Sequence, residues 1–432
     1  MSGFEWRNWS GSVVSRPASV HFPRSEADLR RVVAACDPGQ TVRVAGAGHS
    51  FSPVAQSDDV LISLENYTGV TEVDEAAGRA TVRAGTRLET LTAVLAEHGL
   101  MVENLGDVDQ QTVAGALATG THGTGIDFGV LATQVVGLRL LTADGDVLTL
   151  DPSDGDRFRA AQVSLGALGI VTEVTLDVRP QYRLREVEGP RDLDETLADV
   201  ERLREAHRNF EFFWFPHTDV AVVKTLDETD DPVRSGLAFE EAVENAYWEA
   251  ANRLGRAVPR LCGPLDRLTT NLMSETDRVG PAHRIYPTAR TVRFNETEHS
   301  VPAEDGVAAF RDVREYVERE GRDVMFPVEF RYVAGDDIPL SPAYGRDSAF
   351  VAVHAYHRRP YRDFFEGVYD VFDRYDARPH WGKHHAKTAA DLAPRYPGWD
   401  RFQAVRESLD PDGLFCNDHL GSVLGVDRAA GG

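Results

Sequence analysis

The run Arg43-Val44-Ala45-Gly46-Ala47-Gly48-His49-Ser50 constrains this chain more than any other stretch. A β-type segment, Thr41 to Val44, enters a loop with glycine at alternate positions and a histidine and serine at its end. Glycines so spaced let successive backbone N–H groups turn inward around an anion such as a pyrophosphate. The loop is not a Rossmann G-x-G-x-x-G, because Phe51 stands where the third glycine belongs. A phosphate cradle ending in an imidazole implies a cofactor held by its phosphates and by a second contact.

The 432 residues suffice for two domains, each with its own core. No apolar run is long enough to span a bilayer, and the start, Met1-Ser2-Gly3-Phe4-Glu5-Trp6, lacks the features of a signal peptide. A cytoplasmic location is the default expectation. Cys36, Cys262 and Cys416 form neither a disulfide framework nor a zinc pattern. The net charge of −23 would repel nucleic acid and suits a hydrated surface at high salt, which implies a halophilic source. Only three of the 46 basic residues are lysines: Lys224, Lys383 and Lys387. A lysine in such a chain is expected to have a specific use.

Ser25 caps a predicted helix from Glu26 to Cys36, with Asp28 as capping-box partner. Strands are expected at 60–64, 80–84, 135–142, 147–150 and 171–178, and a helix at 87–98. Pro180 marks a boundary. Beyond it come a helix (192–208), an aromatic strand (210–215), a helix (239–254), a connection rich in proline and arginine, and a helix (307–320). Strands follow at 328–333 and 350–356. This order predicts an α+β layer, with helices over a largely antiparallel sheet. Gly431-Gly432 reads as a frayed end.

Three further motifs carry chemistry. From Val113 to Gly125 small residues dominate, so a flat ligand or another backbone must fill the adjoining space. Taken alone, a close-packed helix and turn explains the stretch equally well; a second such region beside the glycine loop favours a cofactor. Glu329 and Arg331 lie two apart in a strand and share one face, which His354 and Tyr356 extend in the next strand. That face is either a solvated surface ion pair or the wall of a pocket. In Arg378-Pro379-His380-Trp381-Gly382-Lys383-His384-His385 the two histidines four apart suit zinc on a helix. No glutamate follows the first, and Pro379 and Gly382 oppose a regular helix. Lys383 reads better as a fixed positive charge beside a cofactor that becomes anionic.

Together these motifs resemble the flavin oxidases of the vanillyl-alcohol oxidase superfamily. Within it, the chain is similar to the aldonolactone oxidase branch and the related alditol oxidases. The likeness includes the opening Trp6-Arg7-Asn8-Trp9 and the closing Leu409-Asp410-Pro411-Asp412-Gly413-Leu414-Phe415-Cys416-Asn417. It implies a bipartite FAD-binding domain of the PCMH type (1–180, rejoined by 376–432) and a substrate or cap domain (181–375). The loop from Arg43 to Ser50 would wrap the FAD pyrophosphate, and His49 would bond covalently to the flavin 8α-methyl. Gly106, Asp107, Thr112, Gly115, Ala116, Ala118, Thr119, Thr121, His122, Gly123, Ile170 and Lys383 are implied as further cofactor contacts. Asp107, Glu329, Arg331, His354, Tyr356 and Lys383 are implied on the substrate side. Asp107 departs from the serine of alditol oxidases.

The resemblance further implies hydride transfer from a substrate carbinol to flavin N5 and reoxidation by O2 to H2O2. Arg331 would stabilise the developing alkoxide, Glu329 would orient or deprotonate the hydroxyl, and Lys383 would stabilise reduced flavin. Gly106 stands where oxidases often admit O2. An aldono-1,4-lactone is the expected substrate. The rivals are an alditol oxidase, a dehydrogenase using a dye, quinone or protein acceptor, a flavin-binding protein without turnover, and a metal-dependent hydrolase.

Overall fold

The computed structural model describes residues 4–234, 238–288, 291–321 and 323–426, with residues 238–245 described by backbone alone. The glycine pair at the C-terminus and Met1 to Gly3 lie outside the described residues.

The opening loop leaves a three-stranded parallel sheet, β1 (Ser19–His21), β2 (Val42–Ala45) and β3 (Val60–Ser63), in the order β1-β3-β2. Helix α1 (Glu26–Ala34) makes the crossover and buries Leu29 and Val33 against it. Ser25 accepts from the Asp28 N–H, as a cap should. The Asp28 carboxylate bonds the N–H of Arg24 instead of Ser25, and the helix stops two residues before Cys36.

An antiparallel sheet follows: β4 (Val70–Asp74), β5 (Arg79–Arg83), β6 (Val135–Leu141), β7 (Val147–Leu150) and β8 (Ile170–Asp177), in the order β7-β6-β8-β5-β4. Helix α2 (Leu88–Glu97) packs Leu88, Leu91 and Leu95 into its core. The small-residue stretch forms α3 (Val113–Ala118), capped by Thr112, whose hydroxyl accepts from the Gly115 N–H at 3.2 Å.

The third sheet has eight antiparallel strands: β9 (Arg183–Asp192), β10 (Asn209–Trp214), β11 (Val220–Glu228), β12 (Thr276–Pro281), β13 (Phe294–Pro302), β14 (Val328–Val333), β15 (Ser348–Tyr356) and β16 (Arg378–Pro379). Their order is β12-β9-β11-β10-β14-β15-β13-β16. One face is apolar: Phe210, Phe212, Trp214, Val328, Phe330, Tyr332, Val351 and Val353 pack under α4 (Leu193–Ala206) and the helices over Gly306–Glu320 and Arg362–Phe372. A helical hairpin, α5 (Ala238–Ala257) and α6 (Cys262–Leu272), precedes α7 (Gly306–Glu320) and α8 (Arg362–Phe372). Fully burying a phenylalanine such as Phe330 contributes about 2–3 kcal/mol. The alternation that buries one face leaves the opposite face to polar side chains.

The region expected to be a mere connection, from Leu254 to Val307, holds α6, β12 and β13. The chain end returns to the first sheet. The Val42 N–H bonds the Leu414 carbonyl at 2.8 Å, and the Asn417 side chain bonds the carbonyls of Pro53 and Gln56. Buried Arg43 donates to the carbonyls of Val54, Leu165, Gly166 and Phe415, tying three distant segments together.

Candidate active site

Two cavities meet at His49. The narrower, about 110 Å³, runs beside the glycine loop, lined by Arg43, Val44, Gly46, Ala47, Gly48, His49, Ser50, Thr112, Gly115, Ala118, Thr119 and Ile170. Gly46 must lack a side chain, since a Cβ there would strike the Thr112 hydroxyl. Gly48 has φ +73°, which favours glycine. Ala45, Ala116 and Gly123 line neither cavity; Gly123 instead presses against the Leu105 carbonyl, closer than any Cβ would allow. The side chain of Arg43 is spent on backbone carbonyls.

The wider cavity, about 540 Å³, holds His49, Ser50, Gly106, Asp107, Thr119, Thr121, His122, Glu329, Arg331, His354 and Lys383 in one wall set. His49 stacks on Trp9 (centroids 5.9 Å, 29° between planes). Burial, then the charges of Arg87 and Lys383, pull its pKa down to about 4, so the ring is neutral at neutral pH. Gly106 meets the His122 backbone so closely that a Cβ would lie 2.8 Å from the His122 carbonyl oxygen.

The polar face of the eight-stranded sheet forms the far wall. Arg331 donates from its guanidinium to the Glu329 carboxylate, and its other neighbours are Glu211 at 3.3 Å and Asp107 at 3.5 Å. Three carboxylates therefore hold one guanidinium, and its pKa is raised well above the ordinary value although burial opposes this. Strand register explains the meeting: Glu211 lies directly across from Arg331 on one side and from Lys224 on the other. Lys224 reaches Glu211 at 3.0 Å and Asp107 at 3.4 Å in the protein interior. Burial and then the Asp107 charge push the Glu211 carboxyl above its ordinary value, against the pull of Lys224 and Arg331.

A second charged group surrounds Lys383. Its ammonium lies 2.6 Å from Glu296 and 3.8 Å from Glu298. Both carboxylates are buried, which would raise them. Lys383 and His354 outweigh burial at Glu296, and His122 and Lys383 do so at Glu298, so both sit below the ordinary range. His354 approaches Glu296 at 3.6 Å and Glu329 at 3.9 Å, so it bridges the two groups. Tyr356 shares the face of His354 but is absent from the cavity wall; its hydroxyl bonds Glu249 at 3.0 Å. His380 and His384 occupy no helix. The His380 ring accepts from the Gly382 N–H, and His384 meets Asn295. Donor sets such as His122, Glu298 and His380 lie close enough for an ion, yet Lys383 and Arg331 already neutralise the carboxylates they contain.

Glu211, Lys224, Glu296 and Glu298, with Asp109 and Arg284 of the wider cavity wall, are site residues that sequence reading missed. The repeat Glu296-x-Glu298, ahead of an apolar Val301, matches Glu329-x-Arg331, and the scarcity of lysine pointed at Lys224.

The D-arabinono-1,4-lactone oxidase family matches residues 174–423, and the FAD-binding domain matches residues 17–151. The chain belongs to the D-arabinono-1,4-lactone oxidase family. Its relatives include L-gulono-1,4-lactone dehydrogenase of Mycobacterium tuberculosis, 42% identical over 97% of this chain and 99% of that protein. L-gulonolactone oxidase of Mus musculus is 34% identical, covering 98% of each. Alditol oxidase of a Streptomyces species is 32% identical, over 96% of this chain and 98% of that protein. Among solved structures, cholesterol oxidase from B. sterolicum superposes with a TM-score of 0.82 at 19% identity, over 97% of this chain and 96% of that one. The fold is thus that of a PCMH-type flavoprotein with an antiparallel, helix-covered second layer. Among the described residues no helix is long and apolar enough to cross a membrane. The FAD-binding domain match spans the glycine loop, and the slot beside it, lined by Gly46, Ala47, Gly48, Gly115 and Ala118, fits FAD.

Proposed function

We propose that this chain oxidises the carbinol carbon of a sugar-derived alcohol, foremost an aldono-1,4-lactone. Residues 1–180 and 376–432 hold FAD and 181–375 hold the substrate. When bound, FAD supplies the two-electron acceptor for the hydride. The observation that carries the reading is the Glu329–Arg331 pair on the wall of a cavity that continues past His49 into the glycine slot.

Each residue has a chemical task. Arg331 binds the substrate oxygen and stabilises its negative charge as the C–H bond breaks. Glu329, held by Arg331, takes the hydroxyl proton or orients it. Lys383, held against Glu296 on the same polar sheet face, supplies a positive charge for the reduced flavin. His49, neutral and stacked on Trp9, has a nitrogen lone pair suited to a covalent flavin link.

The test is a peroxide assay against a panel of aldonolactones and alditols, with acid precipitation of the yellow protein. Turnover of lactones and colour retained in the pellet are expected. Turnover of xylitol or sorbitol with none of lactones refutes the substrate assignment, and a colourless pellet refutes the covalent link. The 42% identical relative bears the name dehydrogenase, which favours a second reading with a non-oxygen acceptor. Dye reduction without oxygen consumption would select it.

A further inference from the structure

Six proton-bearing side chains follow one another along the wall of the wide cavity. The Glu329 carboxylate lies 3.9 Å from His354 Nε2, which lies 3.6 Å from Glu296. Glu296 is 2.6 Å from the Lys383 ammonium, and Lys383 is 3.8 Å from Glu298. Glu298 in turn is 3.4 Å from His122 Nε2. All but Lys383 are buried. Register builds the line: His354 stands directly across from Glu296, while Ala352, too short to bridge, stands between Glu329 and Glu298. The spacings beyond hydrogen-bond length are ones that a small rotation or a single water closes. Resting on the oxidation argued above, we propose that this line is a proton relay, which carries the substrate's hydroxyl proton from Glu329 to His122.

The backbone fixes where the protons sit. His354 Nδ1 donates to the Pro327 carbonyl at 2.8 Å, and His122 Nδ1 donates to the Gly123 carbonyl at 2.9 Å, since a carbonyl can only accept. Each Nε2 is thereby turned toward carboxylate oxygen, and two acceptors would face each other without a proton between them. That proton is the one a relay passes on. His380 closes the far end. Its Nδ1 accepts from the Gly382 N–H at 3.0 Å, and burial holds its pKa at about 3, so it takes up no further proton. Lys383 forms the middle joint, where a guanidinium would stop transfer because it does not give up its proton. All but three of the 46 basic residues are arginines, so a lysine at this joint runs against the composition of the chain.

The chemistry calls for such a path. Oxidising a carbinol removes a hydride, which takes the electron pair, and a proton from the hydroxyl. An acceptor such as O2 or a quinone takes up two electrons and two protons. One of those protons arrives with the hydride, and the other is the hydroxyl proton left on the wall. Glu329 is where it starts, and His122, whose backbone abuts Gly106, is where it is handed over.

The experiment is double-mixing stopped flow of the holoenzyme. An aldonolactone first reduces it without air. The second mix adds benzoquinone, which takes up protons with its electrons, or ferrocenium, which takes up none. Glu298→Gln and His122→Asn are each expected to lower the ratio of the benzoquinone rate to the ferrocenium rate roughly 100-fold. Free imidazole should restore the ratio in His122→Ala. Damage to packing would slow both acceptors together, so an unchanged ratio in either variant overturns the relay. Wild type that lactone fails to reduce refutes the substrate assignment instead, and reduction by dithionite then carries the same test of the relay. Nitrogen-15 spectra of histidine-labelled holoenzyme, taken without turnover, should show a proton on His122 Nε2 that Glu298→Gln perturbs. A bare Nε2 in wild type overturns the inference.

Discussion

Lys224 and Glu211 face each other directly across neighbouring strands, with 3.0 Å between ammonium and carboxylate in a place closed to solvent. Glu211 passes that contact on to Arg331. Removing one member of such a buried pair leaves a charge without compensation, at a cost of about 3–5 kcal/mol. Lys224→Met is expected to lower the unfolding free energy by that amount and to cut kcat/KM by roughly tenfold or more. Lys224→Met/Glu211→Leu should recover most of the stability in urea titrations but not the activity. An unchanged single variant contradicts the network.

Under the proposed function, Glu296 and Lys383, 2.6 Å apart, are expected to act on the flavin in opposite directions. Lys383→Met should lower the midpoint potential and slow reduction, because a positive charge near the reduced ring is lost. Glu296→Gln should raise the potential, because it frees Lys383 from its closest carboxylate. Spectroelectrochemistry of both variants checks the signs; shifts of the same sign reject the pairing.

Acid should destabilise the fold. Burial, ahead of neighbouring charges, holds His380 at about 3 and His384 and His419 at about 4. Each ring is neutral when folded and takes a proton near pH 6.5 when unfolded. Their contribution is therefore complete above about 6.5 and is lost as pH falls through 4 toward 3. Urea titrations should show a drop of several kcal/mol between pH 7 and pH 4, and a flat profile would disprove it.

The cavity wall carries five carboxylates, Asp107, Asp109, Glu296, Glu298 and Glu329, against Arg284, Arg331 and Lys383. A neutral lactone enters without penalty, whereas the aldonate formed by its hydrolysis meets like charge. The kcat/KM for aldonate should fall about 100-fold below that for lactone, and Asp107→Asn should narrow the gap. Equal rates for both forms exclude charge selection.

Gly106 tests what admits oxygen. A Cβ there would press on the His122 carbonyl, so Gly106→Ala must displace the His122 backbone. If packing governs, the loss of roughly tenfold in turnover is equal with O2 and with a dye. A loss confined to O2 instead assigns the position to oxygen access.

Much of this was legible where a segment announces itself. The aromatic alternation of Val328 to Val333 placed β14 to the residue and put Glu329 with Arg331 on one side. The loop at Gly46 and Gly48 was legible because only glycine tolerates such contacts and angles. Strand β13 was not, because Asn295, Glu296, Thr297 and Glu298 are polar on both faces and read as a connection. Burial of those groups is possible only through partners on other strands, and register between distant strands is written in no single segment. Lys224 was conspicuous by its rarity, but its partners Asp107 and Glu211 lie more than a hundred residues and about a dozen residues away.

The tie between Arg43 and Phe415 has a consequence for the order of events during synthesis. The cofactor loop leaves the ribosome early, yet the carbonyl that steadies it, the Asn417 amide and the ammonium of Lys383 all emerge near the end. A nascent chain halted before that point holds an unsupported slot and half of a charge pattern. If the slot holds the flavin as proposed, loading is expected only after translation is complete, and truncated chains are expected to be colourless, which absorbance of a chain ending before Lys383 checks.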